Sequence, residues 1–263
     1  MRATVKGVEP RAKRTLRVWW TPAFWLPLMW ALAFVGLAQQ SLWAKLLAPF
    51  GGALYERNTL LELTWQHLQL SSSAMLGVLA IGLPLVALST RSTRSTRSVD
   101  NVFVRLLENL LTVGQTFPPT AVLFLMLPIL GFGPQAAILS LLIYGLLPTV
   151  RGGLTGIQNV SRDALEAAEG SGMNPGQLFW RLQLPLALPS LLAGIRTSLI
   201  LIIATATIAP LVGTGGLGVP IIAGLGNGNL ALVLEGAIPV AVLALLSDMS
   251  MRALESLLTP WRT

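Results

Sequence analysis

The sequence predicts an all-α fold, a polytopic membrane protein of about six transmembrane helices. Three observations carry the prediction. Only 11% of the 263 residues are charged, against roughly 25% in soluble domains. Asp, Glu, Lys and Arg are absent between Arg17 and Lys45, Glu62 and Arg91, Glu108 and Arg151, and Arg196 and Glu235. A bilayer span takes roughly 20 apolar residues, so the first two runs hold one span each and the third is long enough for two. The basic residues, finally, fall between the apolar runs, where they act as topology signals.

The elements follow in order. Arg2, Lys6, Arg11, Lys13, Arg14 and Arg17 precede the first run and place the N-terminus in the cytoplasm. Span one covers residues 18–38, with Trp19 and Trp20 as interfacial anchors. A cleaved signal peptide competes with it, because Gly36-Leu37-Ala38 passes as a small-residue cleavage site. The run is longer than the roughly 7–15 residues of a signal core, which favours a retained helix. Residues 39–66 face outward. Span two, 68–90, ends at Arg91, Arg94 and Arg97 of RSTRSTRS, a cytoplasmic loop rather than a phosphorylation or nucleic-acid patch.

Gly131-Phe132-Gly133-Pro134 is a turn signal that divides span three, 106–129, from span four, 134–150. Residues 152–185 are mixed and polar, hence cytoplasmic. Span five covers 187–212, GTGGLG at 213–218 lies outside, and span six covers 230–250. Glu235 and Asp248, near the two ends of span six, read as interfacial. Arg252 and Arg262 keep the C-terminus inside.

Several classes are excluded. Alternating ten-residue strands are lacking, which argues against an outer-membrane barrel. The net charge of +7 is spread between spans, not gathered on a soluble face, so nucleic acid is not an expected partner. Zero cysteines remove thiolate metal sites and cysteine nucleophiles, and the single His67 cannot build a metal site or a histidine relay alone. No G-x-x-x-x-G-K-[ST] phosphate cradle occurs in the sequence, so it shows no ATP site of that kind.

The stretch SRDALEAAEGSGMNPGQLFWRLQLP carries the most information. Asp163 and Glu166 have capping-box spacing, and Ala164, Leu165, Ala167 and Ala168 favour helix. Gly170 and Gly172 stop that helix. Asn174, Pro175 and Gln177 then start a second one, limited by Pro185. Two short helices meeting at a glycine turn, with a face of alanine and glycine, read as a docking element or as an ordinary connecting loop.

Glu166-Ala167-Ala168, Gly172 after three residues, and Leu182-Gln183-Leu184-Pro185 after nine more resemble the EAA loop of ABC-importer permeases. The usual pattern has Ile where Leu182 stands. The resemblance extends over roughly residues 62–258. QTFPP at 115–119, GFG at 131–133, YGLLP at 144–148, GIRTS at 194–198 and GTGGLG at 213–218 are similar to the osmoprotectant branch, which takes up glycine betaine, choline and related quaternary amines. The resemblance implies a type I ABC importer permease fold in a bacterial inner membrane. With it the chain divides into a basic cytoplasmic N-terminus, first transmembrane helix and outer loop (1–61), a permease transmembrane domain (62–258) and a cytoplasmic tail (259–263). It further implies that Asp163, Glu166, Ala167, Ala168, Gly172, Leu182, Leu184 and Pro185 couple the chain to separate ABC ATPase subunits. In that arrangement Ala167 and Ala168 pack into the ATPase groove, and Glu166 anchors them. A second permease copy or paralogue and an extracytoplasmic solute-binding protein complete the implied assembly.

Gln115 lies about ten residues into span three, or roughly 15 Å at about 1.5 Å per residue, near half the hydrocarbon depth. Two prolines there leave carbonyls without partners, which is tolerable only against protein or a water-filled cavity. Gln115, Thr116, Phe117, Pro118 and Pro119, with Tyr144, are therefore candidates for the translocation pathway near the dimer axis. A packing kink is the alternative. Glu108 and Arg196 are intramembrane charges and form a candidate pair, unless both reach the interface. Gly213, Gly215, Gly216, Leu217 and Gly218 are candidates for flexible backbone at an outer gate, or for a simple turn. Spans two to six hold no tryptophan, so Phe117, Phe124 and Tyr144 are too few for an aromatic cage. Specific recognition is then expected on the binding protein.

Alternatives are the same machinery with another cargo, such as an amino acid, an ion-coupled secondary transporter, and a membrane anchor for a cytoplasmic complex. The secondary transporter would favour mid-membrane ionisable residues and inverted repeats, and no repeat is evident.

Overall fold

The computed structural model describes residues 22–51, 54–95 and 102–260, and every regular element among them is helical. The N-terminal basic cluster, Trp19, Trp20, Arg97 and Arg262 lie outside the described residues. In chain order the helices are α1 (Pro22–Ala38), α2 (Gln40–Leu47), α3 (Leu60–Ser95), α4 (Val102–Thr116), α5 (Pro119–Leu130) and α6 (Pro134–Gln158). There follow α7 (Arg162–Gly170), α8 (Pro175–Leu178), α9 (Leu184–Thr205), α10 (Gly218–Asn227) and α11 (Leu230–Leu258).

Among the described residues, four helical stretches are long and apolar enough to cross a membrane: Leu60–Ser89, Pro134–Gln158, Pro175–Val212 and Leu230–Leu258. Two bent pairs bring the number to six if each counts as one span. One pair is α1 with α2, bent by 78°, and the other is α4 with α5, bent by 96°. Span three is thus a broken element and not a kinked helix. The reason is local: Pro118 and Pro119 lack N–H donors, so the ladder stops at Thr116 and restarts at Pro119.

Other boundaries also move. The outward segment 39–66 is not a loop, because α2 buries Trp43 and Leu47, and α3 begins at Leu60, eight residues before the expected start of span two. The segment after GTGGLG folds as α10, for which the sequence reading had no helix. Pro185 does not end the second short helix. A π-helical turn at Phe179–Gln183 joins α8 to α9, and Pro185 is the second residue of α9, just beyond that turn.

The core is centred on α6, which packs most extensively against α9 and next against α3. Small residues permit the α6–α9 approach. Gly152 and Gly156 are four apart on α6, the small-xxx-small spacing of close helix pairs. A Cβ on Gly152 would sit 2.6 Å from the Ser190 carbonyl oxygen, and one on Gly156 would sit 2.6 Å from that of Ala187. Gly194 faces Gly152 and the Pro148 carbonyl just as closely. A polar clasp lies along the same seam, with Thr149 Oγ1 donating to Ser198 Oγ (2.8 Å) and Ser198 Oγ donating to the Gly145 carbonyl (2.5 Å). The outward faces are apolar, as lipid contact requires: Leu76, Leu110 and Ile129 are all well exposed.

Candidate functional site

The two-helix element projects from one end of the bundle. Ser161, not Asp163, caps α7: its Oγ accepts the Ala164 N–H at 3.3 Å, and Asp163 stands in the first turn, where an acidic side chain favours the helix dipole. Gly172 ends α7 in the left-handed region, with φ of 78°. The Gly172 N–H donates to the Glu169 carbonyl and the Met173 N–H to that of Ala168, the paired bonds of a Schellman motif. Asn174 and Gln177 form the expected reciprocal capping box at 2.9 and 3.0 Å. Glu166 and Ala167 are exposed, whereas Ala168 is buried within the chain itself. Ala168 therefore cannot face an external groove as the sequence suggested, and the free face is that of Glu166, Ala167 and the turn. Leu182 and Leu184 are half-buried where the π turn enters α9.

The pathway candidates converge at the α4–α5 break. Gln115 Nε2 donates to the Tyr144 carbonyl at 2.6 Å, and the Tyr144 hydroxyl donates to the Phe117 carbonyl. The Phe117 carbonyl, inside the break, thus finds a side-chain donor, and so does the Tyr144 carbonyl, which Pro148 four residues on leaves without its helical partner. Thr116, Phe117 and Pro118 are exposed at the corner, but Tyr144 is only 5% exposed. Tyr144 is a buried strut behind the break and does not share the exposed corner.

The glycine-rich segment forms a packed corner. Gly213 and Gly216 have positive φ, and a Cβ on Gly215 or Gly218 would collide with Gln66 or the Thr207 carbonyl. Gln66 Oε1 accepts the Gly216 N–H at 3.0 Å, while the Gly133 N–H donates to the Val212 carbonyl at 2.8 Å and ties in the GFG turn. These glycines serve turn geometry and close packing, not looseness. Leu217 is fully buried. A cleft of about 310 Å³ opens beside the corner, with Gln66, Gln69, Ser73, Pro134 and Thr214 in its wall. His67 is fully buried next to it, its Nε2 donating to the Ile203 carbonyl at 3.0 Å, a tautomer assigned from that acceptor. Gln66, Gln69 and Ser73 were missed from sequence, where a lone polar residue on an apolar helix carries no spacing signal.

The Glu108–Arg196 pair does not form. Arg196 instead reaches α11, at 3.5 Å from Asp248 and 3.9 Å from Glu255, and Asp248 also holds Arg252 at 2.8 Å. Asp248 is thus a shared partner of two arginines. Glu235 is buried and accepts the Tyr55 N–H at 2.9 Å, so it too is more than an interfacial charge.

A helical membrane bundle with a broken span, a glycine-packed central crossing and a projecting two-helix element has the architecture of a transporter's membrane subunit. Residues 93–260 match the family described as the binding-protein-dependent transport system inner membrane component, and the chain belongs to that family. It is 39% identical over 203 residues to the carnitine transport permease protein OpuCB of Listeria monocytogenes, covering 77% of this chain and 89% of that one. It is 36% identical over 201 residues to the glycine betaine/carnitine/choline transport system permease protein OpuCB of Bacillus subtilis, covering 76% and 89%. Among solved structures, a chain of the MetNI methionine ABC transporter superposes with a TM-score of 0.67 at 21% identity, over 76% of this chain and 96% of that one. The fold is therefore that of ABC-importer permeases, and the chain is a transporter subunit.

Proposed function

We propose that the chain is the permease of an ATP-driven importer for small quaternary amines, with glycine betaine, choline and carnitine as the cargo class. The coupling reading rests on one observation above all: Glu166 and Ala167 stand exposed beside the Schellman turn at Gly172. A partner ATPase would bind ATP and press on this face through residues 163–185. The direct continuation of α8 through the π turn into α9 would carry the push into the membrane. The cargo is supported by the relatives, whose names specify carnitine, choline and glycine betaine at 36–39% identity.

In the same reading the chain sits in the inner membrane with both termini cytoplasmic. It pairs with a second permease copy or paralogue and receives cargo from an extracytoplasmic binding protein. Residues 62–258 form the transport domain, Gln115 to Pro118 border the pathway, and the 213–218 corner lies at the outer gate.

The test is uptake into proteoliposomes that hold the permease, its ATPase and its binding protein. Radiolabelled glycine betaine, choline or carnitine should accumulate only with ATP on the ATPase side. Accumulation of methionine with none of the three would overturn the cargo.

A further inference from the structure

The segment before α3 lies outside the residues matched by the family, yet it closes over a buried carboxylate. Gln40, Ser41 and Trp43 from α2, Tyr55 and Glu56 from the following turn, and Glu235 from α11 surround a cavity of about 380 Å³. That volume falls within the roughly 300–1,000 Å³ typical of small-molecule sites. Glu235 is 4% exposed, and its one hydrogen bond among the described residues is the Tyr55 N–H on Oε2. A carboxylate has about four acceptor positions, and burying it against one neutral donor leaves most of its lost hydration unreplaced.

The rest of the wall decides what would compensate it. Among the described residues no basic side chain lines the cavity. Lys45 and Arg57 are near in sequence, but both are exposed and neither borders it. A second carboxylate, Glu56, adds negative charge. No cluster of three ligating side chains occurs among the described residues, and a hard metal ion would need about six oxygen ligands. Two aromatic side chains, Trp43 and Tyr55, stand in the wall instead. Carboxylates for charge together with aromatic surface for apolar bulk suit an alkylated ammonium.

The geometry points to a binding site for an alkylammonium head group on the permease itself, formed where α2 and the 54–56 turn cover Glu235. The head group could be carried by a free solute or a lipid. The site needs neither the ATPase nor the binding protein, so its test does not depend on the cargo reading.

The experiment is equilibrium binding of radiolabelled choline to the purified full-length permease in phosphatidylglycerol nanodiscs. Saturable binding is expected, competed by tetramethylammonium and not by 3,3-dimethylbutan-1-ol, the neutral carbon isostere of choline. Glu235→Gln retains an oxygen for the Tyr55 N–H and should weaken choline about tenfold or more, with a smaller loss in Glu56→Gln. Loss of choline binding when phosphatidylethanolamine is added would identify lipid as the resident source of an alkylammonium head group. Three results would overturn the site: no saturable binding by wild type, equal competition by the neutral isostere, or unchanged affinity in folded Glu235→Gln. If Glu235→Gln fails to fold, the isostere competition alone decides.

Discussion

Ala167 and Ala168 are adjacent and chemically identical, yet they do different work. Ala168 is buried and Ala167 is exposed, so the same substitution should separate stability from docking. Ala168→Arg buries an unpaired charge and should cost about 3 kcal/mol or more, read as a lowered melting temperature. Ala167→Arg should stay within about 0.5 kcal/mol of wild type in the same melt. Gly172 makes a similar separation possible. Open space surrounds the position of its Cβ, but its φ is left-handed, so strain and not collision sets the cost. Gly172→Val should destabilise α7 by about 1–2 kcal/mol, and Gly172→Asn by less, because Asn enters that region more readily. The sequence motif marked these residues as a group without showing which alanine faces outward. That depends on how α7 folds back on its own chain, which no local spacing encodes.

At the scale of elements, two contacts hold the transport core. Tyr144 braces the α4–α5 break through the Phe117 carbonyl. Tyr144→Phe leaves that carbonyl without its donor and should cost about 1–3 kcal/mol, measured by thermal melting in detergent. Gly152, Gly156 and Gly194 let α6 and α9 touch, and Gly194→Val should reduce folded yield more than a similar change at Gly226, where nothing lies within 4 Å of a Cβ. The spans, the GFG turn and the Asn174 capping box were legible because charge-free length, glycine-proline pairs and cap spacing are local signals. The depth of the break at Pro118 was not, since two prolines announce a missing donor but not a 96° bend. α10 escaped because its ten glycine-rich residues are too short for a span and too apolar for a loop. YGLLP and GIRTS were read as branch markers, and their physical content is the α6–α9 crossing: Gly194 lies on Pro148, and Ser198 bonds Gly145.

Across the whole molecule, Arg196 links the helix that continues from the projecting element to the last helix of the bundle. A double-mutant cycle of Arg196→Met with Asp248→Asn should show coupling of about 0.5–3 kcal/mol, and a cycle with Glu108→Gln should be additive. Glu108 was a candidate partner as an intramembrane charge, but charge-free spacing cannot tell which helix lies beside α9. The same linkage gives a physical route from docking to the bundle: α8, the π turn and α9 are continuous, and α9 grips α6 through glycines and α11 through charge. The central claim is that an external ATPase drives transport through the exposed face of α7. The most direct measurement compares wild type with Ala167→Arg in proteoliposomes holding the ATPase and binding protein, recording ATP hydrolysis and glycine betaine uptake together. The account predicts that the variant inserts and melts like wild type but loses uptake by tenfold or more, a docking penalty of about 1.4 kcal/mol or greater. Undiminished, ATP-dependent uptake by a folded Ala167→Arg permease would contradict it.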